Sequence, residues 1–337
     1  MASTERPARL PHALDPVRPE QIRLLTKVAR LYHERGVRQP QIAAQLHVSQ
    51  ARVSRLLKQA VELGIVRTTV ITPRGVYGEL EETVETRYGL QEVVVVDTAE
   101  VTDEAGLLPA LGAAAAVYLE TTLTGGDRIG ISSWSSTLLA TVEAMRPRST
   151  RVAEQVVQVL GGVGVVTAQT HATRLTGRLA QVTGASAVYL SAPGLAASAA
   201  NREVFAGDPS TEFVFGTFAD LTMLLVGIGS LEPSPLLRAS GNAIAEPDQA
   251  ELRSLGAVGD ICLRFFDADG FHVDSPLDDR VVGITADAMR AVPRRVAVAG
   301  GDRKYTAIRA ALRGGWLSAL VTDLGVAQRL AEDDQHP

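Results

Sequence analysis

From residue 92 onward the chain alternates short runs of aliphatic and β-branched residues with longer stretches of helical spacing. The runs are EVVVVD (92–97), DRIGIS (127–132), EQVVQVL (154–160), SAVYLS (186–191), LTMLLVGIG (221–229), DICLRFF (260–266), RRVAVAG (294–300) and SALVTD (318–323). Between most of them lie helical patterns, over 107–122, 137–145, 170–182 and 304–313. Runs that are apolar at consecutive positions suit strands covered on both faces. That is the condition of a largely parallel sheet with helices on either side. At 337 residues, with 46% apolar and 21% charged composition, the chain can bury a sizeable core. No apolar run approaches the ~18–20 residues of a membrane span. The longest, Ala110 to Leu119, is mostly alanine.

Before residue 92 the texture changes. Residues 1–19 contain arginines and prolines but no apolar stretch, so a mobile tail is expected there rather than a secretory signal. Gln21 to Glu34 sets Ile22, Leu25, Val28, Ala29 and Tyr32 at i, i+3, i+4 spacing, and Gly36 ends that helix. Pro40 opens a short second helix to Leu46, where a first turn tolerates a missing N–H. His47-Val48 is a tight connection. Ser49 then caps a third helix that runs to about Leu63, with Gly64 as its stop. The β-branched run IVRTTVIT (65–72) reads as a strand or short hairpin. Three helices and a β element make a small winged helix-turn-helix, assigned to residues 20–73. Residues 74–91 are a linker and connector helix, with Leu80, Val84 and Tyr88 on one stripe suited to a connector or a partner. Residues 92–332 form the α/β domain.

The net charge of -5 averages two opposite parts. Through residue 75 there are 13 Lys/Arg and 5 Asp/Glu, and the remainder has 20 and 33. A basic module on an acidic body is the asymmetry expected when one small domain meets a polyanion. The third helix sharpens this. Val53, Leu56, Leu57, Ala60 and Leu63 form one apolar face. Gln50, Ala51, Arg52, Ser54 and Arg55 are left outside at its start, with Lys58 a turn later. Fork-shaped polar side chains at the N-terminal end, and a cation further along, are what a helix reading base edges and phosphates needs. A merely solvated face would mix acids with bases, and no acid occurs between Glu34 and Glu62. Double-stranded DNA is therefore the expected partner.

The segment IAAQLHVSQARVSRLLKQAVELGIVR (42–67) resembles the helix-turn-helix of the SorC family of sugar-responsive bacterial transcriptional regulators. The landmarks YGLQEVVVV, RIGISSWSSTL, VVQVLGGVG, YLSAPG, LVGIGS, GAVGDICLRFFDADG, VVGI and VAGGDRKYTAIRAALRGGWLSALVTD follow that family's effector domain in order. The resemblance covers about residues 20 to 331. It implies a Rossmann-like effector domain with the fold of sugar-phosphate isomerases, and a homo-oligomer, dimer or tetramer. It also implies operator affinity tuned by a sugar, sugar phosphate or polyol.

The candidate ligand residues follow from both readings. Ser132, Ser133, Ser135, Ser136 and Thr137 lie between a strand and a helix, where free N–H groups and hydroxyls can bind an anion or simply cap the helix. The resemblance implies that this loop holds a phosphate and that Lys304 completes the site. It departs from the commoner family loop in its serines after Trp134, which leaves the choice between a phosphorylated sugar and a plain polyol open. Gly161 and Gly162 permit close backbone approach, to a ligand or only within a tight turn. Asp260 and Arg264 can bond sugar hydroxyls or form a structural ion pair.

An enzyme is not expected. The six histidines are scattered without metal-ligand spacing. Gly130-Ile131-Ser132-Ser133-Trp134 lacks the second glycine of a nucleophile elbow. Gly227-Ile228-Gly229 lacks the third glycine of a dinucleotide fingerprint. No cofactor is expected. Cys262 is the lone cysteine, so no disulfide framework is possible, and a cytoplasmic protein with no membrane partner is expected.

Overall fold

The structure, a computed structural model, describes residues 19–67, 73, 75–99, 101, 104–242 and 244–333. The expected tail, apart from Pro19, lies outside these residues. The chain divides into two compact units between Ile71 and Thr72.

The first unit contains α1 (Pro19–Ala29), a π-helical turn (Arg30–Glu34), α2 (Gln39–Gln45) and α3 (Gln50–Glu62). Its core is Leu25, Val28, Leu31, Ile42, Val53, Leu56, Leu57 and Ala60. The spacing of residues 21–34 predicts one regular helix, but the last turn widens, with the Arg35 amide donating to the Arg30 carbonyl. Leu31 is thereby buried, while Tyr32, placed on the stripe by a regular period, is exposed, as is Ile22. Ser49 caps α3 as expected, its Oγ accepting from the Arg52 amide at 3.2 Å. Of the strand expected over 65–72, Ile65–Arg67 form none, and residues 68–72 lie outside the described residues.

The second unit begins with α4 (Gly78–Tyr88), β1 (Glu92–Val96), α5 (Glu104–Thr122), β2 (Asp127–Ile131), α6 (Ser136–Ala144), β3 (Ala153–Gln158), α7 (Val166–Thr183) and β4 (Ser186–Val188). It continues with α8 (Ala199–Ala206), α9 (Pro209–Thr217), β5 (Met223–Val226), β6 (Gly229–Ser230), α10 (Pro235–Ala239), α11 (Glu246–Ser254), β7 (Ala257–Ile261) and β8 (Arg264–Asp267). The last elements are α12 (Ala286–Ala291), β9 (Arg294–Val298), α13 (Tyr305–Arg313), β10 (Ala319–Asp323) and α14 (Leu324–Glu332). Seven strands pair in the order β1-β10-β9-β5-β2-β3-β4, every pair parallel. Both faces are covered, which is why the runs are apolar at consecutive positions. Ile129, Ile131, Val156, Leu225, Val296 and Val321 face α5, α6 and α7. Val93, Val95, Leu224, Val226 and Leu320 join α4, α12, α13 and α14 in the other core.

Two expectations need correction. The run DICLRFF is no strand of the parallel sheet. It turns back on itself as the hairpin β7–β8, which with β6 makes a separate antiparallel sheet of three strands. The two turn residues, Cys262 and Leu263, both have positive φ (53° and 61°), a conformation that turn-forming glycine or asparagine adopts far more readily. Nothing in their side chains announces a turn, so the run looks continuous.

The connector helix is also not left for a partner. Val84 is fully buried in its own chain, with Leu80 and Tyr88 packed against the same core. Glu85 and Glu81 extend from α4 to accept the amides of Val93 (2.8 Å) and Val95 (2.9 Å) on the edge strand β1. Two carboxylates thus cover N–H groups that an open sheet edge would expose.

Candidate DNA-reading face and ligand crevice

The apolar stripe of α3 packs against α1 and α2, and this fixes which side chains remain outside. Gln50, Ala51, Arg52, Ser54, Arg55 and Lys58 are all exposed, on one side of the helix. Among the described residues their one charged partner is Glu62, 3.9 Å from Lys58, in a pair whose side chains are 80% and 58% exposed. Such a pair contributes roughly 0.3–0.5 kcal/mol and yields readily to a phosphate. The turn before α3 carries His47 at φ 53°, exposed, a feature the residue type does not announce.

In the second unit the chain steps from β2 to β3 to β4 in one direction across the sheet, and from β5 to β9 to β10 in the other. Between β2 and β5 the order reverses. The crevice outside the carboxyl ends of strands at such a switch point is where open α/β sheets bind ligands.

The loop 132–135 leaves β2 there. The Ser132 amide donates to Leu225 on β5 at 3.3 Å, and Ser135 Oγ lies against Gly227. Ser133 Oγ donates to the Leu160 carbonyl, and Trp134 Nε1 to Gly161 O at 3.1 Å. Ser135 Oγ caps α6 by accepting from Leu138 N. Ser133 and Ser135 are therefore engaged in holding the loop. Ser136 is exposed at the start of α6, and Ser132 and Thr137 are buried beside it.

Gly161 and Gly162 follow β3 at the same sheet edge. A Cβ at Gly161 would run into the carbonyls of Ala192 and Pro193, and one at Gly162 into the buried Gln158 amide. Packing within the chain alone thus demands glycine at 161, while at 162 the Gln158 amide would have to move.

Asp260 lies on β7. It accepts the Leu263 amide at 3.0 Å and faces Gly229. Burial pushes its carboxyl up to about 6, against the pull of that amide and of the Lys304 charge. Arg264 takes the structural alternative. Its Nε donates to Ile284 O and its Nη1 to the Asp278 carbonyl and carboxylate, with only 6% of the side chain exposed.

Lys304 ends the turn between β9 and α13, at the carboxyl edge again. β9 and β2 are both neighbours of β5, so their ends stand ~10 Å apart, two strand spacings. The sequence reading missed Asn242, which is 2% exposed. Its Oδ1 accepts the amides of Gly194 (2.7 Å) and Leu195, while its Nδ2 donates to Val163 O. One side chain thus ties three loops at this edge. A lone Asn in a loop carries no local sign of that role.

A separate cavity of about 480 Å³ opens between α9 and α12, lined by Arg202, Phe215, Phe218, Leu221, Gly283 and Thr285 among others. It contains none of the candidate ligand residues. It is mainly apolar, whereas a sugar or phosphate needs converging donors. Among the described residues, no helix is long and apolar enough to cross a membrane.

Residues 77–332 match the Sugar-bind family of sugar-binding domains. The deoxyribonucleoside regulator of Bacillus subtilis is 32% identical over 314 residues, covering 93% of this chain and 99% of that protein. The sorbitol operon regulator of Klebsiella pneumoniae is 30% identical over 315 residues, 92% of this chain and 98% of the other. The crystal structure of the full-length Klebsiella pneumoniae regulator SorC aligns with a TM-score of 0.68 at 28% identity, over 93% of this chain and 99% of that one.

Proposed function

The chain belongs to the SorC family of sugar-responsive transcriptional regulators, and from that premise we propose that α3 reads an operator while a sugar phosphate binds where β2 and β5 part. The protein is a ligand-modulated regulator of a sugar or polyol operon. The observation that carries the ligand site is the loop 132–137, pinned to β5 and to the segment that follows β3 at the reversal of strand order. Ser132, Ser136 and Thr137 offer hydroxyls there, and the first amides of α6 point the positive end of the helix dipole at an anion. Lys304 supplies the counter-charge from the neighbouring strand end. Asp260 is placed to bond a sugar hydroxyl. Ser133, Ser135, Gly161 and Gly162 shape the crevice, and Arg264 stands outside it.

The assembly is at least a dimer, because a helix-turn-helix reads one half-site and operators pair two. The α/β domains hold it together, since the stripe of α4 is occupied within its own chain. Light scattering of the ligand-free protein at micromolar concentration will show no monomer.

The ligand test is thermal unfolding with deoxyribose 5-phosphate, sorbitol 6-phosphate, sorbitol and erythritol. A phosphorylated compound at a hundred times its Kd stabilises by about 2.7 kcal/mol. Lys304→Ala will abolish that shift and the ligand's effect on operator affinity, leaving ligand-free operator binding intact. A Lys304→Ala protein that responds at the wild-type concentration refutes the site. A shift given only by the unphosphorylated polyols refutes the phosphate.

A further inference from the structure

Three helices meet at one carboxylate. Asp333, the residue that ends α14, accepts from Tyr88 Oη at 2.9 Å and from Arg309 Nε at 2.6 Å, both through Oδ2. Tyr88 is the last residue of α4 and Arg309 the middle of α13. The cluster is sheltered, with 24% of the Arg309 side chain exposed and 14% of that of Asp333. Burial pushes the Asp333 carboxyl up, but the bonds from Arg309 and Tyr88 outweigh it and hold the group below the usual carboxylate range. Burial first, and then the bond to Asp333, drives the Tyr88 phenol well above its ordinary value. Around neutral pH the cluster is an ion pair with a neutral phenol, and it does not titrate.

The same helices are latched a second time, beside the ligand crevice. The Arg329 guanidinium of α14 lies 3.6 Å over the Tyr305 ring, and Tyr305 Oη donates to the Arg329 carbonyl at 3.3 Å. Arg329 also pairs with Asp302 at 2.6 Å. Asp302 and Tyr305 flank Lys304 in sequence. The turn that carries Lys304 is therefore continuous with α13, and α13 is tied to α14 at its start and to both α14 and α4 at its middle. In chain order α4 is the first helix after the DNA-binding unit.

We propose that Asp333 is a positioning residue that carries occupancy of the ligand crevice, through α13, to α4. The proposal rests on the reading of Lys304 as a ligand contact. An anion held by Lys304 restrains the first turn of α13. A helix moves as a unit, so Arg309, ~7.5 Å further along the axis, is restrained with it. Arg309 and Tyr88 share one carboxylate oxygen, so the end of α4 follows. Glu81 and Glu85 tie the middle of α4 to β1, and Tyr88 ties its end to the Asp333 clamp, so α13 bears on how firmly the whole helix is held. Coupling of this kind needs an element that both sites bias, and α13 with its Asp333 clamp is such an element.

The test is hydrogen exchange of the full-length chain, with and without saturating deoxyribose 5-phosphate, and again with inorganic phosphate. In wild type, exchange slows about fivefold or more in residues 302–309 and also in residues 78–88. In Asp333→Asn, and in Tyr88→Phe, which keeps the ring and loses only the hydroxyl, residues 302–309 remain protected by the phosphate. The protection of 78–88 disappears. A merely structural role for the cluster would raise exchange in α4 equally with and without phosphate and leave the ratio unchanged. That result overturns the proposal, as does a wild type in which α4 never responds. If neither compound slows exchange at 132–137 or 302–304, the Lys304 reading itself fails, and the relay falls with it.

Discussion

Helices α3 and α4 are neighbours in the chain and similar in kind, each with one apolar stripe and one charged side, yet they use the charged side in opposite ways. On α3 the arginines and Lys58 point to solvent, with one exposed glutamate as their ionic neighbour among the described residues. On α4 the charged side is engaged inside the chain, where Glu81 and Glu85 cover the edge of β1, and even Tyr88 of the apolar stripe bonds Asp333. Amphipathic periodicity therefore says that a helix packs, not what its other face is for. The difference lies in chemistry. Cations that stay exposed without acidic partners carry an unsatisfied attraction to phosphate, whereas carboxylates beside a sheet edge are hydrogen-bond acceptors for amides.

The comparison is tested most severely by Leu25→Ala. Leu25 is fully buried in the first unit, and its loss costs about 2–5 kcal/mol. Operator binding will collapse, while the second unit keeps its own melting transition and its response to sugar phosphate. Loss of both responses together would show that the two units do not unfold separately.

Arg52→Ala comes next, with a cost of about 1–3 kcal/mol in operator affinity, a relaxed base preference and an unchanged melting temperature. Titrations against specific and random DNA separate the two effects. An equal loss on both would make Arg52 a phosphate contact.

Glu85→Ala should do the reverse. With the Val93 amide left without its acceptor, the urea midpoint of the second unit will fall by roughly 1–2 kcal/mol equivalent. No such shift would mean that the glutamates of α4 are as solvated as the cations of α3.

The smallest effect belongs to Lys58→Ala. It will flatten the dependence of log affinity on log salt by about 0.9, cost the fold almost nothing, and weaken all DNA sequences alike. A change in base preference instead would move Lys58 among the base readers.

Much of this architecture is legible before folding. The parallel strands show because burial on both faces demands consecutive apolar residues. The caps and stops of α3 show because Ser49 and Gly64 act on their own neighbours. The π turn after Ala29 does not show, since Arg30–Glu34 fits a regular helix equally well and packing selects the wider turn that buries Leu31. The β7–β8 hairpin is hidden because Cys262 and Leu263 look like strand residues while holding turn conformations.

The candidate sites divide along the same line. Which residues of α3 face outward follows from a 3.6-residue period, a property of a dozen consecutive residues. The pairing of Arg264 with Asp278, the close approach of Gly161 to Pro193 and the amides that Asn242 holds are contacts between residues far apart in the chain. The sequence by itself determined the helices of the first unit, most strands of the parallel sheet, its two-sided burial and the cationic face, because each is a local pattern read along the backbone. Only the tertiary structure decided which polar groups satisfy one another, because a hydrogen bond reaches about 3 Å in space and is indifferent to separation in sequence.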